Sequence, residues 1–400
     1  AHDIEWPVIP VIARMENEGI LLDVPYLERF ADQIGDMISD VEQEIYGHAN
    51  EEFNISSPGQ LAEVLFTKLK LPTAGIKKGK TGYSTAASEL DKLRGQHPII
   101  DLITQYREVT KLKNTYVDTL PKMVDEQSRV HTTYNMTMAQ TGRLSSQDPN
   151  LQNIPIRTEL GRHIRTAFKA APGNVFVGAD YSQFELRLAA YLCNDEKLIH
   201  QFNRDIDVHV MTAAEVYGYD PEEVSKNMRR DAKVVNFGVM YGLSAHGLVA
   251  ATGMSYGQAK EFIEKYFEVR PKLKAYIEGV KKQAKEDGFV ETMFGRRRPT
   301  PDVQSSNFMV REGAYRAAVN MPFQGSAADI MKLAMVKIDE QLRDTDATML
   351  LQIHDSVLVE CKEADAETIA KLLKDTMESV VKLPVKLTVD TTYGKNWGDL

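Results

Sequence analysis

The segment from Leu351 to Glu360 has the sequence LQIHDSVLVE, in which apolar residues flank a His-Asp pair. The alternation over residues 347–361 predicts a β-hairpin with His354 and Asp355 near its turn. No Lys or Arg stands near this carboxylate in the sequence. An isolated buried carboxylate is costly unless it is exposed, protonated, paired or bound to a metal. Considered alone, Asp355 is best explained as a turn aspartate.

The composition is that of an ordinary globular protein, with 43% hydrophobic and 26% charged residues, and its 400 residues suffice for two or three domains. The two cysteines, Cys193 and Cys361, are too few for a disulfide framework or a zinc site and indicate a reducing, cytoplasmic setting. We find no membrane span and no signal peptide. The formal net charge of −9 argues against non-specific coating of nucleic acid but is compatible with a local basic groove. Because the sequence does not start with Met, we expect it to be part of a longer protein.

Strand-like segments bracket a long helical region. Residues 7–22 predict a short helix that ends at Gly19 and a short strand, and residues 26–116 are mainly helical, with a cap sequence at 57–60. The later predictions are an irregular, strand-like region at 131–170, a strand at 174–181, a helical region at 183–343 interrupted at Gly218, Gly253, Gly288 and 294–302, and strands at 347–353, 356–361 and 385–391. The sheet must therefore be assembled from distant parts of the chain.

The segment GADYSQFELR, residues 178–187, predicts that a strand delivers Asp180 to its end and that a helix begins at once. A carboxylate at such a junction is well placed to bind a cation. Ser182 and Glu185 have the spacing of a capping box, so a purely structural role in helix capping is the competing interpretation. If Asp355 lies beside Asp180, the two carboxylates could hold two Mg²⁺ ions about 3.5–4 Å apart.

The segment KNMRRDAKVVNFGVMYG, residues 226–242, places four cationic side chains on one helix face: Lys226, Arg229, Arg230 and Lys233. The same face continues into Phe237 and Tyr241. Acidic partners four positions away are absent within this helix, and like charges repel unless an anion lies between them. A cationic stripe that becomes aromatic suits a nucleotide, which has phosphates at one end and a flat ring at the other. The alternative is a solvated basic face with two core aromatics.

Residues 74–81, AGIKKGKT, match a relaxed phosphate-loop pattern in which Ala replaces the first Gly. A true phosphate loop follows a buried strand and opens a helix. The preceding KLKLP, with Pro72 and alternating lysines, makes a poor core strand. A flexible basic loop that contacts a nucleic-acid backbone is the better interpretation.

Five stretches together resemble the bacterial family A DNA polymerases, of the DNA polymerase I type. They are TGRLSSQDPNLQNIPIR (141–157), DYSQFELR (180–187), RRDAKVVNFGVMYG (229–242), NMPFQGSAADIMKLAM (320–335) and HDSVLVE (354–360). Their order and approximate spacing agree with the family, and the resemblance covers nearly the whole chain. Five motifs in order are far more specific than any one of them.

The resemblance implies an α+β right-hand fold, with an antiparallel palm sheet, helical fingers and a helical thumb. The expected bounds are palm at 1–23, 131–187 and 331–400, thumb at 24–130 with the basic loop 74–84 at its tip, and fingers at 188–330. Family members often carry nuclease domains upstream. We expect neither these domains nor proofreading from the present residues.

The implied activity is template-directed addition of dNTPs to a primer 3′ hydroxyl by two-metal phosphoryl transfer, with a role in DNA repair and replication. Asp180, Asp355 and the backbone carbonyl of Tyr181 would hold two Mg²⁺ ions, for which Mn²⁺ could substitute. The expected catalytic residues are Asp180, Asp355, Lys233 and Arg229. The expected partners are primer–template DNA and dNTP, the expected state is a monomer, and the expected location is the cytoplasm, at the bacterial nucleoid.

The resemblance also assigns binding residues. Arg229, Lys233 and His209 would grip the triphosphate and supply positive charge. Phe237 would pack on the nucleotide, Tyr241 would guard the templating position, and Glu185 would exclude ribonucleotides. The complete nucleotide-binding set is Arg229, Lys233, Phe237, His209, Glu185, Gln183 and Tyr241. The DNA-binding set is Arg143, Arg157, Arg316, Asn320, Gln324, His354, Lys77, Lys78 and Lys80, of which Arg143, Arg316, Asn320 and Gln324 would contact the minor groove.

Two residues depart from the family pattern. Ser356 stands where the family usually has Glu, and Phe184 stands where it usually has Ile. We expect activity to survive, because the two aspartates carry most of the metal binding. Without metal, we expect Asp180 and Asp355 to repel and at least one of them to have a raised pKa.

Two other hypotheses compete with the polymerase. The first is a catalytically inactive DNA-binding module, suggested by Ser356, which would bind primer–template without extending it. The second is a single-subunit RNA polymerase, which shares the right-hand architecture. Glu185 argues against the RNA polymerase, and comparing rNTP with dNTP incorporation separates the two enzymes.

Overall fold

The computed structural model describes residues 1–156 and 158–400. The helices are α1 Glu5–Glu18, α2 Val24–Ala49, α3 Pro58–Ala62, α4 Ala87–Leu90, α5 Ile99–Leu112, α6 Glu159–Thr166, α7 Phe184–Leu192, α8 Glu196–Asn203, α9 Val208–Tyr217, α10 Lys226–Gly238, α11 Ala245–Thr252, α12 Tyr256–Val269, α13 Pro271–Glu286, α14 Phe308–Leu342 and α15 Ala366–Ser379. The strands are β1 Ile20–Leu21, β2 Lys78–Gly79, β3 Gly82–Tyr83, β4 Arg129–Val130, β5 Thr133–Asn135, β6 Ser145–Gln147, β7 Asn174–Tyr181, β8 Phe289–Glu291, β9 Arg297–Pro299, β10 Thr348–Ile353, β11 Ser356–Lys362 and β12 Val389–Gly394.

The central sheet is antiparallel, with strand order β10-β11-β7-β12. It joins one strand from the middle of the chain to three from its end, as expected. The last strand was predicted at 385–391 but starts at Val389. The backbone before Val389 makes hydrogen bonds outside the sheet: the Lys386 amide donates to Asn203 Oδ1, and the Lys386 carbonyl accepts from Arg187. These groups are therefore not available to pair with a neighbouring strand.

Both faces of the sheet are buried. Because side chains alternate along a strand, Val175 and Val177 of β7 lie in one core, whereas Phe176 lies in another. The first core packs α1, α7, α15 and the end of α14 against the sheet. The second contains residues from α2, α5, α6 and Trp397. Helix α6 lies in a region predicted to be strand-like. Thr158 caps its start, and the Thr158 side chain accepts from the Gly161 amide.

A third core lies between helices α8 to α13 and the first half of α14. The predicted interruptions at Gly218 and Gly253 are confirmed, because both residues cap helices in the left-handed conformation, with φ of 75° and 78°. The 294–302 interruption lies in the β8–β9 hairpin and the turn after it. No helix in the described part of the chain is long and apolar enough to cross a membrane.

A fourth core joins the second half of α2 to α3 and α5. Ser57 caps α3 as predicted, but the Gln60 side chain accepts from the Asn54 amide and does not complete a capping box. Residues 78–83 form the small β2–β3 hairpin. A phosphate loop would follow a buried strand and lead into a helix, and residues 74–81 do neither. This agrees with the interpretation of the stretch as a basic loop.

Candidate active site

The fold brings Asp180 and Asp355 together at one edge of the sheet. Asp180 lies near the end of β7, directly opposite Ser356, the first residue of β11. Asp355 lies in the β10–β11 turn, and its carbonyl accepts from the Tyr181 amide at 3.1 Å. His354 adopts a positive φ of 54° to make this turn. The predicted hairpin, with the His-Asp pair at its turn, is confirmed.

Burial raises the pKa of both carboxyl groups to about 6. The second cause at Asp180 is Asp390, its direct neighbour across the β7–β12 pair. At Asp355, Glu185 and Asp180 raise the pKa and Arg143 lowers it. Asp180 touches solvent, but the surrounding protein limits hydration of its charge. Both pKa values are raised as expected, chiefly by desolvation; Asp180 adds to the shift at Asp355, whereas the acidic neighbour that raises the pKa of Asp180 is Asp390.

Asp355 has a cationic neighbour, Arg143, although no Lys or Arg lies near it in the sequence. Arg143 Nη2 lies 3.8 Å from Asp355 Oδ1 and 2.5 Å from Glu185 Oε1. The Tyr241 hydroxyl donates to the other oxygen of Glu185. Arg143 and Tyr241 therefore hold the Glu185 carboxylate between them.

The capping interpretation of Glu185 is wrong. Gln183, with φ of 51°, occupies the N-cap position of α7, and no side chain caps this helix. The Glu185 side chain is buried and bonded to Arg143 and Tyr241. The ring of Phe184 stacks on that of Tyr181 with centroids 4.1 Å apart, and this residue, which departs from the family pattern, is buried in the core.

The cationic face of α10 is only partly directed at the carboxylates. A cavity of about 410 Å³ is lined by Arg143, Tyr181, Gln183, Phe184, Glu185, His209, Arg229, Lys233, Phe237, Tyr241 and Asp355. Lys226 and Arg230 are not in this lining. Two of the four cations have acidic partners that the i±4 spacing does not show: Arg229 Nε donates to Asp207 at 2.8 Å and Arg230 pairs with Asp231 at 3.1 Å.

His209 does not supply positive charge in this structure. Its side chain is only 3% exposed, and burial lowers its pKa to about 4. The Asn236 side-chain amide lies 3.0 Å from His209 Nδ1, a contact that suits the neutral tautomer in which Nδ1 accepts and Nε2 carries the proton. His209 lines the cavity as a neutral hydrogen-bond donor, which corrects the expectation of a cationic grip.

Apart from Arg143, which lines the cavity, the expected DNA-contacting residues that the structure describes lie in three regions. Arg316, Asn320 and Gln324 follow one another on α14, and Asn320 Nδ2 lies 3.5 Å from Gln324 Oε1. Arg316 packs against Gly242, next to Tyr241, since a β-carbon on Gly242 would lie 2.5 Å from its Cγ. Exposed His354 lies in the β10–β11 turn, and Lys77, Lys78 and Lys80 are exposed in or beside the β2–β3 hairpin. Arg157 lies outside the described residues.

Sequence reasoning missed three residues of the site. Asp207 pairs with Arg229, and Asn236 sets the protonation of His209; Asp207 heads α9 as its cap and Asn236 lies three positions after Lys233, so both had a local signal. Asp390 had none, because only the pairing of β12 with β7 places it beside Asp180.

The donor set fits a hard divalent cation. Asp180 and Asp355 supply carboxylate oxygens, which suit Mg²⁺ and Mn²⁺. Within residues 1–156 and 158–400, no group of three or more His, Cys, Asp or Glu side chains is arranged to hold a metal ion. A cation here would therefore rely on the two carboxylates, backbone carbonyl oxygen and ligands brought by the substrate.

Comparisons with known proteins identify the family of this chain. The family model for DNA polymerase family A matches residues 24–399. The thermostable DNA polymerase I of Thermus thermophilus is 49% identical over 398 residues, covering 99% of this chain and 48% of the relative. DNA polymerase I of Bacillus caldotenax is 45% identical over 402 residues, covering 99% of this chain and 46% of the relative. The chain thus spans about half the length of these relatives.

A solved structure shows the same fold. It is the POL domain of Pol1 from M. smegmatis in complex with DNA primer–template and dNTP, with a TM-score of 0.93 and 41% identity, covering 99% of this chain and 70% of that one. This likeness confirms the right-hand fold. With the family match over nearly its whole length, the chain belongs to DNA polymerase family A.

Proposed function

We propose that this chain is a template-directed DNA polymerase that adds dNTPs to a primer 3′ hydroxyl. The observation that carries the proposal is that Asp355 lines the same cavity as Arg229, Lys233 and Phe237, with Asp180 beside it. Carboxylates for metal ions thus face cations for phosphates and a ring for a base, which is what nucleotidyl transfer requires.

Each side of the cavity has its own task. Asp180, Asp355 and the Tyr181 carbonyl would hold two Mg²⁺ ions, which would activate the primer hydroxyl and neutralise the leaving pyrophosphate. Arg229 and Lys233 would bind the triphosphate, with Asp207 holding Arg229 in place until the nucleotide arrives.

The neutral His209 would donate from Nε2 to a phosphate oxygen without adding charge. Phe237, whose ring lies 5.7 Å from that of His209, would pack on the sugar and base of the nucleotide.

The group formed by Arg143, Glu185 and Tyr241 would control selection. Glu185, buried and held from both sides, presents a fixed carboxylate at the sugar position and would exclude a ribose 2′ hydroxyl. Tyr241 would occupy the templating position and leave it when the template base enters. Arg143 would continue to hold the Glu185 carboxylate once Tyr241 has moved, so the barrier to the 2′ hydroxyl would stay in place during incorporation.

The remaining assignments follow the family. The palm would comprise residues 1–23, 131–187 and 331–400, the thumb 24–130 and the fingers 188–330. Arg143, Arg316, Asn320 and Gln324 would contact minor-groove acceptors common to all base pairs, and the hairpin lysines would contact the backbone. Arg157 and His354 remain predicted DNA contacts. A monomer at the nucleoid, acting in repair and replication, completes the proposal.

Extension of a labelled primer–template with Mg²⁺ and dNTPs tests the proposal. We expect the parent chain and the surface control Asp36→Asn to extend the primer, and Asp355→Asn to be slower by at least about a thousandfold, because metal-held charge stabilisation contributes several kcal/mol. Binding of the same DNA by each protein is measured in parallel. Binding without extension by the parent would instead support a binding module, and preference for rNTPs would support an RNA polymerase.

A further inference from the structure

Four charged side chains, two of them fully buried, form a cluster behind the candidate active site. Glu5 of α1, Arg296 of the β8–β9 loop, and Asp329 and Lys332 of α14 contribute two negative and two positive charges. Arg296 Nε donates to Asp329 Oδ1 at 2.8 Å, and Lys332 Nζ donates to Glu5 at 2.8 and 2.9 Å. Arg296 also donates to Glu5. Asp329 is 0% and Lys332 1% exposed.

The cluster joins three separate parts of the chain. Thr292 Oγ1 donates to the second oxygen of Asp329 at 2.7 Å, so the hairpin is attached to α14 through this carboxylate as well. A buried ion pair is weak support for stability, because desolvation offsets much of its attraction. Its more distinctive property is geometric, since the planar guanidinium of Arg296 bonds Glu5 and Asp329 in fixed directions.

The guanidinium of Arg296 also lies against the backbone of Gly142. A β-carbon on Gly142 would lie 2.5 Å from Arg296 Nε and 2.6 Å from its Cζ. Gly142 has a φ of 81°, and its amide donates to the Ala139 carbonyl at 2.9 Å in a tight turn. The position therefore requires glycine twice, for its backbone conformation and for the close approach of Arg296.

The residue after this turn is Arg143, which contacts Glu185 and Asp355. Arg143 and Lys332 also line one small cavity of about 20 Å³. The charge cluster thus borders Arg143 from two sides, through the Gly142 backbone and through Lys332. A shift of Arg296 would move the turn and with it the Arg143 guanidinium.

Because Arg143 lies beside Asp355, its minor-groove contact would fall at the primer terminus. We propose that Arg296 is a positioning residue that sets Arg143 for this contact, with Asp329 and Glu5 holding Arg296 in place. This inference rests on the proposed function, because the contact of Arg143 with primer–template DNA is part of that proposal. Arg296 would touch neither substrate nor metal and would act through the Gly142 backbone.

The test compares two primers that differ in one minor-groove acceptor. One ends in deoxyguanosine and the other in 3-deaza-deoxyguanosine, which lacks the N3 acceptor. The ratio of their single-turnover extension rates measures the contact made by Arg143. We expect a ratio of about ten for the parent, since a charge-assisted hydrogen bond is lost, and near one for Arg143→Ala.

Arg296→Lys keeps the charge but loses the planar fork, and Asp329→Asn keeps the shape but loses the charge that holds Arg296. We expect the ratio to fall at least about threefold in both variants. Adding Arg296→Lys to Arg143→Ala should leave the extension rate of Arg143→Ala unchanged, because the effects of residues that act through one another are not additive. Thr300→Val is the matched control. It removes a buried bond of 2.7 Å from Thr300 Oγ1 to the Ala284 carbonyl at the other end of the same hairpin, and should lower stability while preserving the ratio.

The outcomes are distinct. If Arg296→Lys and Asp329→Asn lower the rate or the melting temperature but keep the parent ratio, Arg296 is merely structural and the inference is overturned. A ratio of one in the parent would also overturn it while leaving the polymerase proposal intact. Absence of extension from both primers by the parent would refute the proposed function itself.

Discussion

Asp180 and Ser356 face each other across the β7–β11 pair, and the residue before Ser356 is Asp355. The family's usual Glu at this position would add a third carboxylate to the pair. In this chain, Ser356 Oγ donates to the Ile353 carbonyl at 2.8 Å and closes the turn. The residue that departs from the family pattern therefore supports the backbone that carries Asp355.

Ser356→Glu is expected to lower the Mg²⁺ concentration needed for half-maximal extension by a few fold, because it adds an anionic oxygen next to the carboxylate pair. A magnesium titration of primer extension measures this. Ser356→Ala is the control: it should keep the parent's magnesium dependence and lose about 1 kcal/mol of unfolding free energy with the turn hydrogen bond. An unchanged or higher magnesium requirement in Ser356→Glu would contradict this prediction.

Asp355→Asn is expected to stabilise the metal-free protein at pH 7.5 but not at pH 3.5. The carboxyl group has a folded pKa of about 6, above its ordinary value of 3.8, so the folded state binds the proton more tightly than the unfolded state. Stability is therefore lost as the pH rises from about 4 to about 6, by about 3 kcal/mol when Asp355 is fully ionised.

Denaturant unfolding with a chelator, at both pH values, measures this difference. The exposed Asp36→Asn is the surface control at both pH values. If Asp355→Asn changed the unfolding free energy equally at pH 7.5 and pH 3.5, ionisation of the Asp355 carboxyl group would not destabilise the folded parent protein.

His209 is expected to stay neutral down to about pH 5, because burial lowers its pKa to about 4. Asn236→Asp should raise that pKa by placing a carboxylate at Nδ1, which now accepts from the Asn236 amide. Nitrogen chemical shifts of the imidazole ring, followed by NMR from pH 4 to 8, report both states. A midpoint near 6.5 in the parent would refute a neutral donor.

Glu185→Ala is expected to raise rNTP incorporation relative to dNTP by about tenfold or more, because it removes a fixed polar wall. Tyr241→Phe, which removes only the hydroxyl that donates to Glu185, should have a smaller effect, since Arg143 still holds the other oxygen. The ratio of kcat/KM for the matched dNTP and rNTP measures selection. Equal ratios in the parent and Glu185→Ala would mean that another residue excludes the 2′ hydroxyl.

The sequence alone predicted the local features well. The strand that ends near Asp180, the hairpin around Asp355 and the helix that carries Arg229, Lys233 and Phe237 all depend on side chains close in the chain. Apolar alternation, capping residues and glycines act over a few positions, so their patterns are legible without the fold. The family resemblance supplied the roles of these residues.

Only the tertiary structure decided which groups are paired and which are charged. Arg143 beside Asp355, Asp390 opposite Asp180 and the neutral His209 follow from strand register and burial. These distances and desolvation effects join residues from distant parts of the chain. A hydrogen-bond partner or a pKa depends on what surrounds a side chain in space, and the linear sequence does not contain that information locally.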